Sequence, residues 1–513
     1  MRINTTFSGE KVPKTTKIVY PVCGIGRDML YTLFSLFLMT FITYTMSDDI
    51  GASYKHKMLA ITIILIVYRI WDGINDPMIG TLIENSNLKM GKYKPWILYG
   101  AIGSAITTVL LFSISFPGWW YIVFFGVTYL VWEITFTIND IGYWSMLPSL
   151  TSDAQERVKL STYVTVAASV GAFIAGGLVP MIFPGRAEVA FRWISIVIAT
   201  IYLIMQVSIV LFTKERERPE QTEKVERTKF TDMIKMAFKN KQLLVMLGVI
   251  LLYYTGSSLL NAIGLNYFIL AFGYGTGGSY MTIVTVVYAV GTVIAQILFP
   301  VIERKISWEK LITVTFIVMV IGYIIFFIIG FIPVIQKDEL KLGHLISFVI
   351  CSVFIFSAQG LFYSALLIFI ANTIEYNEWK TGERNESVVF SARPFAAKMA
   401  SSLQLLLTYL LLFLGGVYDI TQQISDFEAQ GGRGELSDSA VIEAADAAIN
   451  GAGNALYTGQ LSMLIGMTVI PIVLYILAYV LLKRKFKINK EAYAMMKEDI
   501  DAGRIGPKYN HEL

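Results

Sequence analysis

Lys214-Glu215-Arg216-Glu217-Arg218-Pro219-Glu220-Gln221-Thr222-Glu223-Lys224-Val225-Glu226-Arg227-Thr228-Lys229, running on to Lys241, is the most hydrophilic interior stretch of the chain. Between Lys214 and Lys241 it mixes nine basic with six acidic residues, the pattern of a solvated linker and not of a nucleic-acid site. Six apolar runs precede it, near 21–46, 58–84, 95–116, 119–147, 160–184 and 191–213, and six follow, near 243–272, 279–302, 309–333, 344–375, 387–417 and 458–482. Each is long enough for a helix crossing a hydrocarbon layer about 30 Å thick. The expectation is an all-α membrane protein of about twelve spans: a first half at 1–213, a linker at 214–242, a second half at 243–482 and a tail at 483–513.

Composition agrees. A chain of 513 residues that is 55% hydrophobic and 16% charged carries more apolar surface than one water-soluble core can hide. Its mean hydropathy of +0.59 makes lipid the solvent for most of it. Cys23 and Cys351 lie in apolar runs and have no metal or redox spacing. His56, His344 and His511 lie before a span, at the start of one and in the tail, so none is placed as a mid-membrane proton relay. The polar opening, Met1 to Thr16, lacks the pattern of a cleaved leader, and the first apolar run is expected to stay as a span.

Basic residues fall in alternate connections: Lys11, Lys14 and Lys17, then Lys89, Lys92 and Lys94, then Arg157 and Lys159, the linker, Arg304 and Lys305, Lys380 and Arg384, and Lys483 to Lys490. By the positive-inside rule both termini are expected in the cytoplasm of a cell whose plasma (inner) membrane holds the protein. The longest opposite connection, 418–457, holds seven Asp and Glu against Arg433 alone, and is expected as a solvated acidic loop with a short surface helix at Ser437 to Ile449.

Ionisable residues inside spans are costly, about 2.5–3.5 kcal/mol for an Asp near the centre, and therefore point to function. The second span reads Tyr68-Arg69-Ile70-Trp71-Asp72-Gly73-Ile74-Asn75-Asp76-Pro77. Asp72, Asn75 and Asp76 share one helix face, so two carboxylates and an amide make a seat for a hard cation or a shared proton. The plainer reading is that Arg69, three residues from Asp72, neutralises it. In the fourth span Thr137, Asp140 and Trp144 again share a face. A carboxylate beside an aromatic plate suits a pyranose, although helix packing accounts for the same residues. Arg27 and Asp28 in the first span and Lys398 in the eleventh add charge to the interior, Lys398 as a partner for a carboxylate or an acidic solute group. Ala167, Gly171, Ala175 and Gly177 permit close approach of the fifth span.

The run from Arg69 to Pro77, then Gly91-Lys92-Tyr93-Lys94-Pro95-Trp96, Asn139 to Ser145, Asp153 to Arg157, Thr373-Ile374-Glu375-Tyr376, Arg384 and Glu386-Ser387 together resemble the glycoside-pentoside-hexuronide:cation symporter family, the melibiose permease-like branch of the major facilitator superfamily. The resemblance implies a major facilitator fold, with solute bound between two six-helix halves. It implies that Asp72, Asn75, Asp76 and Thr137 hold the coupling sodium or proton. It places sugar contacts on Arg27, Asp28, Asp140, Trp144, Tyr363 and Lys398, and a cytoplasmic gating pair on Glu375 and Arg384. Asn372 stands where the family has an acid in that gate, Thr165 where it has a sugar-binding arginine, and Phe136 where it has a tyrosine. Arg393-Pro394 occupies positions that are uncharged there, so the substrate is expected to differ from melibiose. Arg393 near Lys398 favours an acidic sugar such as a hexuronide, unless it turns to a neighbouring helix or to water.

The expected activity is secondary active symport of a sugar or glycoside by alternating access, with no cofactor beyond the cation, a monomer as working unit, and only cation, solute and bilayer as partners. A rival on the same fold is a lysolipid or other amphiphile transporter, which would need a wide apolar cavity. No span carries a metal cluster, a nucleophile with its base or a phosphate-cradling loop, so an enzyme is not expected.

Overall fold

The structure, a computed structural model, describes residues 6–7, 12–46, 54–86, 90–151, 154–216, 238–383 and 386–509. Most of the expected linker, and Arg384 of the expected gate, lie outside the described residues. The described chain is helical apart from a two-residue parallel pairing of β1 (Thr6–Phe7) with β2 (Glu215–Arg216). Twelve helical segments are long and apolar enough to cross a membrane. The first comprises α1 (Lys14–Val22) and α2 (Gly24–Thr45), separated at Cys23 just after Pro21. Then come α3 (Tyr54–Asn85), α4 (Lys94–Ser113), α5 (Trp120–Leu150), α6 (Ala154–Ile182), α7 (Ala187–Phe212), α8 (Lys241–Phe272), α9 (Tyr274–Lys305), α10 (Trp308–Gln336), α11 (Leu342–Thr381) and α12 (Glu386–Leu414). Helices α13 (Val417–Gly432) and α14 (Asp438–Gly451) lead to the last span, which is α15 (Asn454–Leu464), a π turn at Ile465–Val469 and α16 (Ile470–Lys485). Helix α17 (Lys490–Asp501) follows.

The chain packs as two compact units: Met1–Val225 with Gly273–Thr282 and Gly416–Leu456, and Glu226–Phe272 with Ile283–Gly415 and Tyr457–Leu513. In the first unit helices meet at backbone distance. A Cβ on Gly100 of α4 would lie 2.5 Å from the Asn139 nitrogen of α5, and one on Gly171 of α6 would lie 2.2 Å from the Ile25 carbonyl oxygen of α2. Small residues there let the helices close without a side chain between them. Buried amides then link what the glycines bring together: Asn139 Nδ2 donates to the Ile97 carbonyl at 2.8 Å and to Gln206 Oε1 at 3.2 Å, and Gln206 Nε2 to the Cys23 carbonyl at 3.2 Å. Many large apolar side chains instead face outward, Trp120, Ile204 and Met181 among them, as lipid contact requires.

In the second unit α11 has 40 residues, about 60 Å at 1.5 Å per residue, twice the hydrocarbon thickness. Its C-terminal end is held by α17 and the segment after it: Trp379 Nε1 donates to Asp499 at 2.8 Å and Gly506 N–H to the Trp379 carbonyl at 3.0 Å. The helix stops at Gly382, whose φ of 80° is the left-handed conformation that glycine adopts without steric cost.

The connection expected as a solvated acidic loop at 418–457 is a packed pair of helices, with the Ser437–Ile449 helix inside it as α14. The reason is periodicity hidden by the acidic composition. Val417, Ile420, Ile424 and Glu428 recur on one face of α13, Val441, Ala445 and Ile449 on one face of α14, and all are buried. Two acids from this pair close the amino ends of span helices. Glu428 accepts from the N–H groups of Gly185 and Ala187, both at 2.6 Å, and from the Tyr274 hydroxyl at 2.5 Å. Ala187 is the first residue of α7, so the carboxylate caps that helix where its dipole is positive. Asp446 accepts at 2.6 Å from the N–H of Tyr274, the first residue of α9.

Burial pushes the Glu428 carboxyl from 4.5 up to about 7, outweighing the donors from Tyr274, Ala187 and Gly185 that favour its ionised form. The docked state therefore binds the proton more tightly than an undocked, solvated helix. Its stabilisation is full below about pH 4.5 and is lost as pH rises through about 7. Hydrogen exchange of α13 amides, corrected for intrinsic rate, is expected to show easier opening at pH 8 than at pH 5. Glu428→Gln should remove that pH slope, so that the variant opens equally easily at pH 5 and pH 8.

Candidate functional site

In the first unit the ionised side chains gather along one side of α5. Arg27 of α2, only 3% exposed, bridges two carboxylates: its Nη2 and Nε donate to Asp28 Oδ2 at 2.7 and 3.1 Å, and its Nη1 lies 3.2 Å from Asp140 Oδ1. The guanidinium also sits over two rings of α5, 4.5 Å from the centroid of Tyr143 and 4.8 Å from that of Trp144. A planar cation that forks to two acids and lies on two aromatic faces fixes the rotamers of all five groups. Tyr143 is itself held by reciprocal bonds with Tyr20, whose ring stacks on it at 4.6 Å. The arginine is sealed, while the acids are open: the side chains of Asp28 and Asp140 keep 21% and 38% exposure, and Trp144 keeps 38%. Oxygen acceptors and an indole therefore remain available to a polyhydroxylated ligand.

One turn earlier on α5, Thr137 donates its hydroxyl to Asp72 Oδ1 of α3 at 3.1 Å. Both are buried, as is Asn75, whose Nδ2 has no hydrogen-bond partner; Asp76 is partly buried on the same face of α3. This donor set is entirely oxygen and amide, and among the described residues no three His, Cys, Asp or Glu side chains converge. Such chemistry suits a hard alkali ion or a proton and not a transition metal. Arg69, three residues before Asp72 and electrostatically coupled to it, also meets a second acid. Arg69 Nη1 lies 3.5 Å from Glu133 Oε1, and Glu133 is 3% exposed on α5, four residues before Thr137. Glu133 was not singled out from the sequence, although its spacing to Thr137 and Asp140 places it on that same face.

The second unit holds the other expected residues. Tyr363 of α11 accepts a hydroxyl bond from Tyr254 of α8 at 2.9 Å and stacks on Tyr253. Lys398 lies on α12, partly buried, its carbonyl accepting from the hydroxyls of Ser401 and Ser402. Glu375 is on α11 near buried Asn372, whose Nδ2 has no partner; with Arg384 outside the described residues, the pairing of that gate has no geometry. Arg393 is partly buried on α12, five residues before Lys398.

Twelve apolar helices and paired charges along α5 define a polytopic membrane protein with a polar interior. Residues 19–490 match the model of the MFS/sugar transport protein family. The chain belongs to that family, and to the glycoside-pentoside-hexuronide:cation symporters within it. It is 28% identical to the lactose permease of Lactobacillus delbrueckii subsp. bulgaricus over 76% of this chain and 61% of the permease. It is 29% identical to the raffinose carrier protein of Pediococcus pentosaceus over 75% of this chain and 60% of the carrier. The matched region thus spans about three fifths of the length of these relatives. Among solved structures, a bacterial homologue of the human lysosomal transporter Spinster, inward-facing and unoccupied, superposes with a TM-score of 0.57 at 12% identity, covering 92% of this chain and 97% of that one. At that identity the likeness is one of fold.

Thr137→Val, which keeps shape and removes the donor to a buried carboxylate, is expected to lower stability by about 1–3 kcal/mol, while Thr137→Ser keeps most of it. Thermal unfolding of the detergent-solubilised protein compares the three.

Proposed function

We propose that this protein carries a neutral glycoside or oligosaccharide across the plasma membrane together with a sodium ion or proton, by alternating access. The observation that carries this reading is the sharing of one helix turn of α5 by two kinds of site. Thr137 contacts Asp72 at 3.1 Å on one side, and Asp140, three residues on, contacts Arg27 at 3.2 Å on the other. A cation settling at Asp72, Asn75, Asp76 and Thr137 neutralises the acidic face of α3 and fixes that turn. The turn in turn sets Asp140 and Trp144, which with Asp28 and Arg27 receive the sugar. Each ligand then favours the other, as linkage demands. Tyr363 and Lys398 are the second unit's candidate sugar-contact residues, and Glu375 with Arg384 its candidate gating residues. Both termini lie in the cytoplasm, and one copy suffices.

Lactose and raffinose in the names of the relatives support a neutral oligosaccharide as substrate, with a hexuronide as the contrasting ligand for Arg393 and Lys398. Inward movement of one charge down 100 mV supplies roughly 2.3 kcal/mol, about a fifty-fold accumulation, with no bond chemistry.

Uptake of labelled lactose, raffinose and a glucuronide into vesicles, with a sodium gradient, a pH gradient or neither, tests the reading. Gradient-driven accumulation of a neutral oligosaccharide is expected. Asp76→Cys should abolish accumulation and leave solute exchange in place; unchanged accumulation in that variant overturns the cation assignment.

A further inference from the structure

In the second unit Tyr363 of α11 is held by two adjacent residues of α8. Tyr253 is buried, its hydroxyl donates to the Gln359 carbonyl at 2.8 Å, and its ring stacks on that of Tyr363 with centroids 6.1 Å apart and planes 9° from parallel. Tyr254 meets the same ring edge-on at 5.7 Å and donates its hydroxyl to the Tyr363 oxygen at 2.9 Å. The stack fixes the plane of the Tyr363 ring, and the bond fixes the direction of its hydroxyl. Arg393 of α12 is electrostatically coupled to Tyr254, and a positive charge beside a phenol makes it a stronger donor. Tyr253 is enclosed, whereas Tyr254 and Tyr363 are both only partly buried.

We infer that Tyr254 is a positioning residue for sugar recognition: by donating to Tyr363 it aims that phenol and leaves the Tyr363 proton to be given to an acceptor oxygen of the sugar. This rests on the reading of Tyr363 as a sugar contact in the proposed transport. A hydroxyl that accepts one hydrogen bond donates the next more strongly, so the chain from Tyr254 through Tyr363 to the sugar is stronger than its last link alone. Tyr254 acts on the sugar only through Tyr363, and its effect should exist only while the Tyr363 hydroxyl does. An independent contact makes the opposite forecast, since the two losses then multiply. A packing role makes a third: it lowers the maximal rate through loss of working protein and leaves half-saturation where it was.

The test uses the full-length protein in proteoliposomes: wild type, Tyr254→Phe, Tyr363→Phe and the double variant, with labelled lactose and raffinose. Half-saturating sugar and maximal uptake rate are read for each. Tyr254→Phe keeps the ring and removes one hydrogen bond, and is expected to raise half-saturation roughly three- to tenfold with the maximal rate little changed. Tyr363→Phe should raise it by at least as much, and the double variant should match Tyr363→Phe to within about twofold. Half-saturation unshifted in Tyr254→Phe overturns the inference, as do a maximal rate that falls alone, an unshifted Tyr363→Phe, or a double variant in which the two effects multiply. Where Tyr254→Phe fails to fold, the double variant decides, because it leaves no hydroxyl of the pair without its partner. Folded with the half-saturation of Tyr363→Phe it supports the role; unfolded, it makes the pair a packing element and overturns it. Wild-type vesicles that take up neither sugar fail the transport reading itself, a result visible before any variant is compared.

Discussion

An ionised side chain inside a span needs a partner within hydrogen-bond reach, because hydrocarbon offers no water in compensation. In the first unit that requirement organises α5. Glu133 lies against Arg69, Thr137 against Asp72 and Asp140 against Arg27, over eight residues of one helix. The glycine contacts of α4 and α6, and the Tyr20–Tyr143 stack, hold the neighbouring helices at the spacing these pairs need. Were α5 to rotate by half a turn, every one of these pairs would be broken at once. The polar side chains thus fix the orientation of the helix as firmly as its apolar face does.

Much of this was legible from residue order. Apolar runs bounded by charge locate twelve spans, and the three- and four-residue spacings on the second and fourth spans put Asp72 with Asn75 and Asp76, and Thr137 with Asp140, on common faces. Spacing says nothing of which face meets which. Asp140 and Arg27 are 113 residues apart, Glu133 and Arg69 are 64 apart, and local reasoning supplied Arg69 with the acid on its own helix and missed the one across the gap. The acidic 418–457 connection misled for a related reason. Seven acids suggest solvent, but the decisive signal is the spacing of Val441, Ala445 and Ile449, which are too small or too few to raise mean hydropathy.

The same carboxylate chemistry does three jobs in this unit, separated by what each oxygen meets. Glu428 and Asp446 face backbone N–H groups at helix starts and act as caps. Glu133 faces a guanidinium and cancels a charge. Asp72 meets the Thr137 hydroxyl, a donor that stabilises a carboxylate without neutralising it. Under the proposed symport the coupling cation is a further partner of Asp72. Asp28 and Asp140 occupy an intermediate position, since one arginine is shared between two acids whose side chains stay partly exposed. Hydroxyl groups of a sugar can donate to those exposed carboxylates. The two ligands of the proposed symport are thus sorted along α5: the ion goes to the turn at Thr137, and the sugar goes to the turn at Asp140, where Arg27 is already in place.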